Sequence, residues 1–265
     1  MRKALLASAF CAVISLTGCT KTNNVSSSDS VSQPSDNLDQ TIADDSASEN
    51  AITTCRSGKP VAGRPLKVVT TVSPITSIAG VLSAGTDIQV TGVIPEGSNS
   101  HTFEPPPSAA KTLAEADLIF VNGLNLDDPL KSLAEANKKP SAVICEVGTA
   151  AVPKSEWVFD FSFPEDAGNP NPHAWTDPPY VLRYINYIRD AMTAMAPATI
   201  PVVDSNYVKL SGVVTGLDQA MKTATDTVPV RNRKLLTYHD SFAYFALHYQ
   251  YEVIGAIQPQ SFSDP

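Results

Sequence analysis

Three histidines have the residue type and the setting of metal ligands. His101, His173 and His239 are three of only four histidines among 265 residues, and each follows a turn-rich stretch or the end of a predicted strand. Because 72 and 66 residues separate them, no local finger or ribbon can use them, and only a folded globular body brings them together. Neutral imidazole binds zinc and other first-row divalent metals, and three nitrogens with one oxygen or water complete a tetrahedral site. The sequence therefore predicts a metal site at these three residues.

Acidic residues near the histidines are candidates for a supporting role. Glu104, Asp177 and Asp240 lie within a few residues of the three histidines, and a carboxylate can orient a ligand by accepting its second N–H group. Each of them suits a turn or a helix cap equally well. The sequence leaves both roles open.

Aromatic residues and the fourth histidine complete this neighbourhood. Phe103 and Trp175 each lie two residues after a histidine; they either shield the site from water or serve as ordinary core aromatics. His248 lies nine residues after His239, within a predicted helix. We expect it to face away from the site, in a structural or exposed position.

The elements that position the histidines alternate between strand and helix, which predicts an α/β fold with parallel, doubly wound sheets. Ligands of such sheets bind beyond the carboxyl ends of the strands, where His101 and His239 are expected. A further helical pattern at about 204–225 predicts a helix about 30 Å long, enough to link two lobes. Short β-rich runs that alternate with helical patterns lie at 66–72, 88–94, 118–121, 142–147, 233–238 and 251–257.

These patterns predict a chain of two lobes. We expect an N-terminal βα lobe over residues 64–202, a linking helix over 203–228 and a C-terminal βα lobe over 229–265. After the linking helix only two strands and one helix are predicted, whereas a sheet covered on both faces needs several strands. The C-terminal lobe is therefore expected to be incomplete in this chain.

The N-terminus has the features of a bacterial lipoprotein leader. Arg2 and Lys3 precede an apolar run at 4–16 that is too short to span a bilayer, and Leu-Thr-Gly-Cys at 16–19 fits a lipobox. We predict a signal peptide over 1–18, lipidation of Cys19 on the extracytoplasmic face of the cell membrane, and a flexible polar tether over 19–63. A plain signal peptide with an incidental cysteine is the alternative.

Charge and cysteine usage limit the partners. A formal net charge of −8 argues against nucleic acid, whose phosphates demand a basic surface. Cys55 and Cys145 remain once Cys11 leaves with the leader and Cys19 takes up lipid. In an oxidising compartment this pair permits a disulfide, and two separate thiols fit the sequence equally well.

Three segments together resemble the metal-binding, zinc/manganese group of solute-binding lipoproteins of ABC transporters. They are GSNSHTFEPPPS at 97–108, NPHAWTDP at 171–178 and HDSFAYF at 239–245. The resemblance covers about 66–265, and it implies two βα lobes joined by one long helix. It also implies a metal held in the cleft by His101, His173 and His239, and delivery to a membrane permease with a cytoplasmic ATPase.

The choice of metal and the fourth ligand stay open within this resemblance. Histidine at the third ligand position, His239, leans toward zinc over manganese in the family. Many zinc members, however, carry a His-rich loop before the second ligand, whereas 160–171 is acidic here and has no histidine. An acidic ligand that the family often has late in the second lobe is not matched in this chain.

Two other classes fit part of the pattern. A zinc-dependent hydrolase could use a three-histidine site with a bound water, but no H-E-x-x-H, G-x-S-x-G or phosphate-cradling glycine-rich motif is present in the sequence. An adhesin-like surface lipoprotein without metal would carry the same leader. The favoured prediction is a non-enzymatic protein that captures a divalent metal.

Overall fold

The structure, a computed structural model, describes residues 46–258, so the predictions for the leader and Cys19 lie outside the described residues. Six strands, β1–β6, span Lys67–Thr70, Gln89–Gly92, Leu118–Val121, Val143–Glu146, Lys234–Thr237 and Glu252–Ala256. Eight α-helices in the described part, α1–α8, span Ser46–Cys55, Ser73–Ser83, Pro107–Glu115, Asp128–Asn137, Val147–Ala151, Pro178–Met195, Ile200–Asp226 and Ala243–Tyr249. None of the helices described is both long and apolar enough to cross a membrane.

The strands form two parallel sheets, which confirms the predicted α/β fold. Four strands pair in the order β2-β1-β3-β4, and β5 pairs with β6 in a separate sheet. The central strand β3 consists of four apolar residues that are all fully buried, as expected for a parallel strand covered on both faces by helices. The described residues, 46–258, belong to one compact unit that contains both sheets.

The long helix α7 begins earlier than the sequence suggests. It has 27 residues and starts at Ile200, with Pro201 in its first turn, where a proline is tolerated because that N–H has no partner within the helix. The helix packs against α2, α6 and α8. The apolar side chains of this helix are only partly covered: Val214 is buried, whereas Val213 and Leu217 are 69% and 52% exposed.

The predicted tether over 19–63 extends too far, because its last part belongs to the fold. Helix α1 packs against α5, β4 and α6, and it buries Ser48, Ala51 and Cys55 on one face. Cys55 forms a disulfide with Cys145 on β4, so one of the two alternatives for these cysteines is resolved. The polar composition was misleading because the buried side chains are small and the covalent link anchors them.

Candidate metal centre

Three imidazoles converge where strands of both sheets end. His101 lies in the loop that follows β2, His239 lies just after β5, and His173 lies shortly before α6. The Nε2 atom of His173 is 3.0 Å from the Nε2 atoms of both His101 and His239. One ring nitrogen from each residue lies within 4.8 Å of the others. The structure therefore brings together the three histidines that the sequence singled out.

The other nitrogen of two of these rings faces an amide oxygen. His173 Nδ1 is 2.7 Å from Asn171 Oδ1, and His239 Nδ1 is 2.9 Å from Gln258 Oε1. Because an amide oxygen only accepts hydrogen bonds, each Nδ1 carries the proton and each Nε2 presents a lone pair. Neither amide was predicted. Asn171 stands two residues before His173, which is a usable signal, whereas Gln258 is distant in sequence from any motif.

The two facing lone pairs have a spacing that would suit a shared cation. Unprotonated Nε2 atoms of His173 and His239 lie 3.0 Å apart, where they repel each other unless a cation lies between them. In a tetrahedral zinc site with Zn–N bonds of about 2.0–2.1 Å, the nitrogens are about 3.3 Å apart. The observed spacing is close to that of a shared ion.

The backbone around His173 is fixed by side chains from neighbouring elements. Asn122, just after β3, donates from Nδ2 to the carbonyl of Pro172 at 3.2 Å. The amide N–H of His173 donates to Asn171 Oδ1 at 3.0 Å. The Thr176 hydroxyl lies 2.9 Å from the carbonyls of both His173 and Ser241, which links the segment that carries His173 to the one that follows His239.

Burial keeps all three imidazoles in the form that binds metal. Burial, and to a lesser degree His239, lowers the pKa of His101 to about 4. Burial lowers the pKa of His173 well below its usual range, and the two other histidines act in the same direction. Burial also lowers the pKa of His239, although the Gln258 contact and the Asp160 carboxylate oppose it. All three rings are therefore neutral at pH 7, and neutral imidazole is the ligand form.

The three acidic candidates occupy different environments. Glu104 is exposed. Asp177 accepts a hydrogen bond from His248 Nδ1 at 2.6 Å, so its carboxylate orients the fourth histidine. Asp240 is buried beside Asp160, and burial with that neighbouring carboxyl raises the pKa of Asp240 well above its usual range. In the described residues the acceptors at Nδ1 of His173 and His239 are amides.

His248 lies outside the imidazole cluster, as expected. Its Nδ1 bonds to Asp177, and its Nε2 lies 3.7 Å from Asp218 on α7. Tyr249 also donates to Asp218, at 2.8 Å. This group therefore connects α8 with α7 and with the start of α6, which is a structural role.

Aromatic rings cover one side of the cluster. The ring of Trp175 packs edge-on against His173, with the centroids 5.1 Å apart. Phe163 lies 5.9 Å from the rings of both His101 and His173, although the sequence did not single it out. Phe103 packs against the hydrophobic core, the alternative that the sequence left open for it.

The imidazoles line an open cleft of about 470 Å³, with Ser98, Asn99, Ser100, Tyr238, Ser241 and Gln258 among the other lining residues. A water molecule takes up about 30 Å³ of liquid. The cleft therefore has room for an ion and for a further oxygen ligand beside the three nitrogens.

Two parallel sheets and one long helix thus frame a cluster of three imidazoles at the strand ends. Residues 68–265 match the family described as ZnuA, the zinc-uptake complex component A, periplasmic. The chain belongs to this family.

Curated relatives agree with this assignment. The manganese-binding lipoprotein MntA of Halalkalibacterium halodurans is 26% identical over 193 residues, which cover 73% of this chain and 61% of the relative. The manganese ABC transporter substrate-binding lipoprotein PsaA of Streptococcus anginosus is 29% identical over 205 residues, covering 75% and 65%. The chain thus spans less than two thirds of the length of these curated relatives.

The fold is also that of a solved structure. The periplasmic zinc-binding protein TroA of Treponema pallidum superposes with a TM-score of 0.67 at 24% sequence identity. The match covers 76% of this chain and 69% of that protein. This likeness supports the arrangement of parallel sheets and long helix described above.

Proposed function

We propose that this protein captures a divalent transition metal ion with His101, His173 and His239 and delivers it to an ABC permease driven by a cytoplasmic ATPase. The observation that carries the proposal is the convergence of the three Nε2 atoms, two of them on rings whose Nδ1 atoms face amide oxygens. The names of the relatives MntA and PsaA support metal binding, and the name of PsaA supports the transporter.

The ion in this proposal is cargo, and the protein's contribution is a preformed set of ligands. The segments of His173 and His239 are already linked through Thr176, so little ordering is needed when the ion binds. His101 comes from a loop whose preceding residues at 96–99 are exposed. We infer a site that holds its ion instead of using it for catalysis, since the matched relatives are named as binding proteins.

Zinc is the cargo that the donor set favours. Three imidazole nitrogens bind Zn²⁺ more tightly than Mn²⁺ in the general order of divalent metals, although the two relatives are named for manganese. Calorimetric titration of the metal-free protein should show one Zn²⁺ per chain. In competition, Zn²⁺ should displace bound Mn²⁺ at equal concentration.

The titration also separates the other functional classes. Substoichiometric binding of both metals would contradict the proposal and leave the adhesin-like alternative. Displacement of Zn²⁺ by equimolar Mn²⁺ would contradict the assignment of the cargo but not the capture function. If other side chains in the described residues bound the metal, substitution of the three histidines would leave the metal affinity unchanged.

We further propose that the mature protein is anchored on the extracytoplasmic face of the membrane by lipid on Cys19. The lipobox sequence at 16–19 supports this, and MntA and PsaA are named as lipoproteins. Labelled palmitate should enter the wild-type protein in cells, and the Cys19→Ala variant should take up none. Equal labelling of this variant would exclude Cys19 as the lipidated residue.

A further inference from the structure

We propose that Asn171 is the positioning residue of the metal centre: it fixes the protonated nitrogen of His173 and ties that ring to the segment that carries His239. The inference rests on the proposed function, because it states how the ligand rings are held ready for the ion. It assigns a role to a side chain that lies outside the set of three ligands.

The Asn171 side chain uses its full hydrogen-bonding capacity inside the protein. It is 0% exposed. Its Oδ1 accepts from the backbone N–H and from Nδ1 of His173, at 3.0 and 2.7 Å. Its Nδ2 donates to Asp160 Oδ2 at 2.7 Å and to the carbonyl of Asp240 at 3.1 Å. One amide therefore makes two accepted and two donated bonds, which matches its two lone pairs and two N–H groups.

These partners allow only one orientation of the amide. Flipping Asn171 would place its NH₂ group against the backbone N–H of His173 and its oxygen against the Asp160 carboxylate and the Asp240 carbonyl. Donor would then face donor and acceptor would face acceptor. With the oxygen fixed toward His173, the proton of that imidazole stays on Nδ1 and the lone pair of Nε2 stays directed at the other histidines.

Asn171 also connects the surroundings of all three rings. The Asp240 carbonyl that it holds directly follows His239 in the chain. Asp160, its other acceptor, receives the backbone N–H groups of Ser162 and Phe163 at 3.1 and 3.0 Å. The Phe163 ring packs against His101 as well as His173. Removing one buried amide therefore loosens contacts at every ligand.

The test compares variants that separate the two halves of the amide. Asn171→Ala removes both the acceptor and the donors, whereas Asn171→Asp keeps an acceptor and removes the donors. Asn137→Ala is the matched control, since Asn137 is exposed and its side chain donates to the Leu133 carbonyl of its own helix. The readouts are the His173 tautomer from nitrogen NMR of the metal-free, histidine-labelled full chain, and Zn²⁺ affinity by calorimetry.

In the wild-type protein the neutral His173 ring should carry its proton on Nδ1. Asn171→Asp should retain this tautomer, and Asn171→Ala should shift it toward a mixture while lowering Zn²⁺ affinity about 10- to 100-fold, the usual effect of losing a residue that orients a ligand. The Asn137→Ala control should change neither readout. A merely structural role for Asn171 would lower stability without changing the tautomer.

Two results would overturn the inference. One is a proton on Nε2 of His173 in the metal-free wild-type protein, a result that needs no variant to fold. The other is an Asn171→Ala protein that keeps the wild-type tautomer and binds Zn²⁺ within about threefold of wild type, well short of the expected loss. Because the tautomer is read without metal, a wild-type protein that binds no Zn²⁺ would contradict the proposed function alone.

Discussion

Replacing His173 with alanine should lower Zn²⁺ affinity by about 100- to 1,000-fold. Zinc held by four ligands binds with about 10–16 kcal/mol, or about 2.5–4 kcal/mol per ligand, and each 1.4 kcal/mol is about a tenfold change. His173 should show the largest loss of the three, because its Nε2 lies 3.0 Å from both of the other Nε2 atoms. Calorimetric titration of the folded variant measures the loss directly.

His101→Ala and His239→Ala should also weaken binding strongly, and His248→Ala serves as the control for a lost histidine. His248 bonds to Asp177 and not to the imidazole cluster, so its loss should leave Zn²⁺ affinity within about threefold of wild type, far below the effect of losing a ligand. An effect of His248→Ala as large as that of His173→Ala would contradict the assignment of the ligands. Thermal unfolding of each variant separates lost affinity from lost structure.

The sequence was most informative where chemistry and topology coincide. His101 and His239 could be placed at one edge because each follows a β-rich run, and ligands of parallel sheets gather at the carboxyl ends of strands. Strand β3 was found to the residue, since four consecutive apolar residues between turn signals admit few alternatives. Local pattern was sufficient in these cases.

The partners that orient the rings could not be found in this way. The sequence offered only nearby carboxylates as candidates for the second nitrogen of each imidazole and left a turn or cap role equally open for them, whereas His173 and His239 face the amides of Asn171 and Gln258. A hydrogen bond depends on where the side-chain atoms lie and in which direction they point. Closeness in sequence determines neither. Asp177 illustrates the point: it lies four residues from His173 but bonds to His248.

Helix α1 shows the same limit for a whole element. Its Ser- and Ala-rich sequence suggested a tether because it offers little apolar surface. The helix is held by packing against α5, β4 and α6 and by a covalent link to a residue 90 positions away, and composition does not reveal that link. A long-range constraint thus stabilises a segment whose own sequence favours a helix only weakly.

Removing that link should cost about 4 kcal/mol of unfolding free energy. Cys55 and Cys145 close a loop of 90 residues, and chain entropy alone gives about 4–5 kcal/mol for a loop near this length. For a chain of this size each kcal/mol corresponds to about 2–4 °C, so the Cys55→Ala/Cys145→Ala variant should melt about 10 °C lower. Thermal and urea unfolding, followed by circular dichroism, measure the difference.

Reduction provides the internal check on this prediction. A thiol reductant should lower the melting temperature of the wild-type protein to that of the double variant and leave the double variant unchanged. Equal melting temperatures for the oxidised wild type and the double variant would show that the link restrains only α1. Neither α1 nor β4 carries an imidazole of the metal centre. Saturating Zn²⁺ should therefore raise the unfolding free energy of both proteins by the same amount, because binding to the folded state adds a term set by affinity and concentration alone.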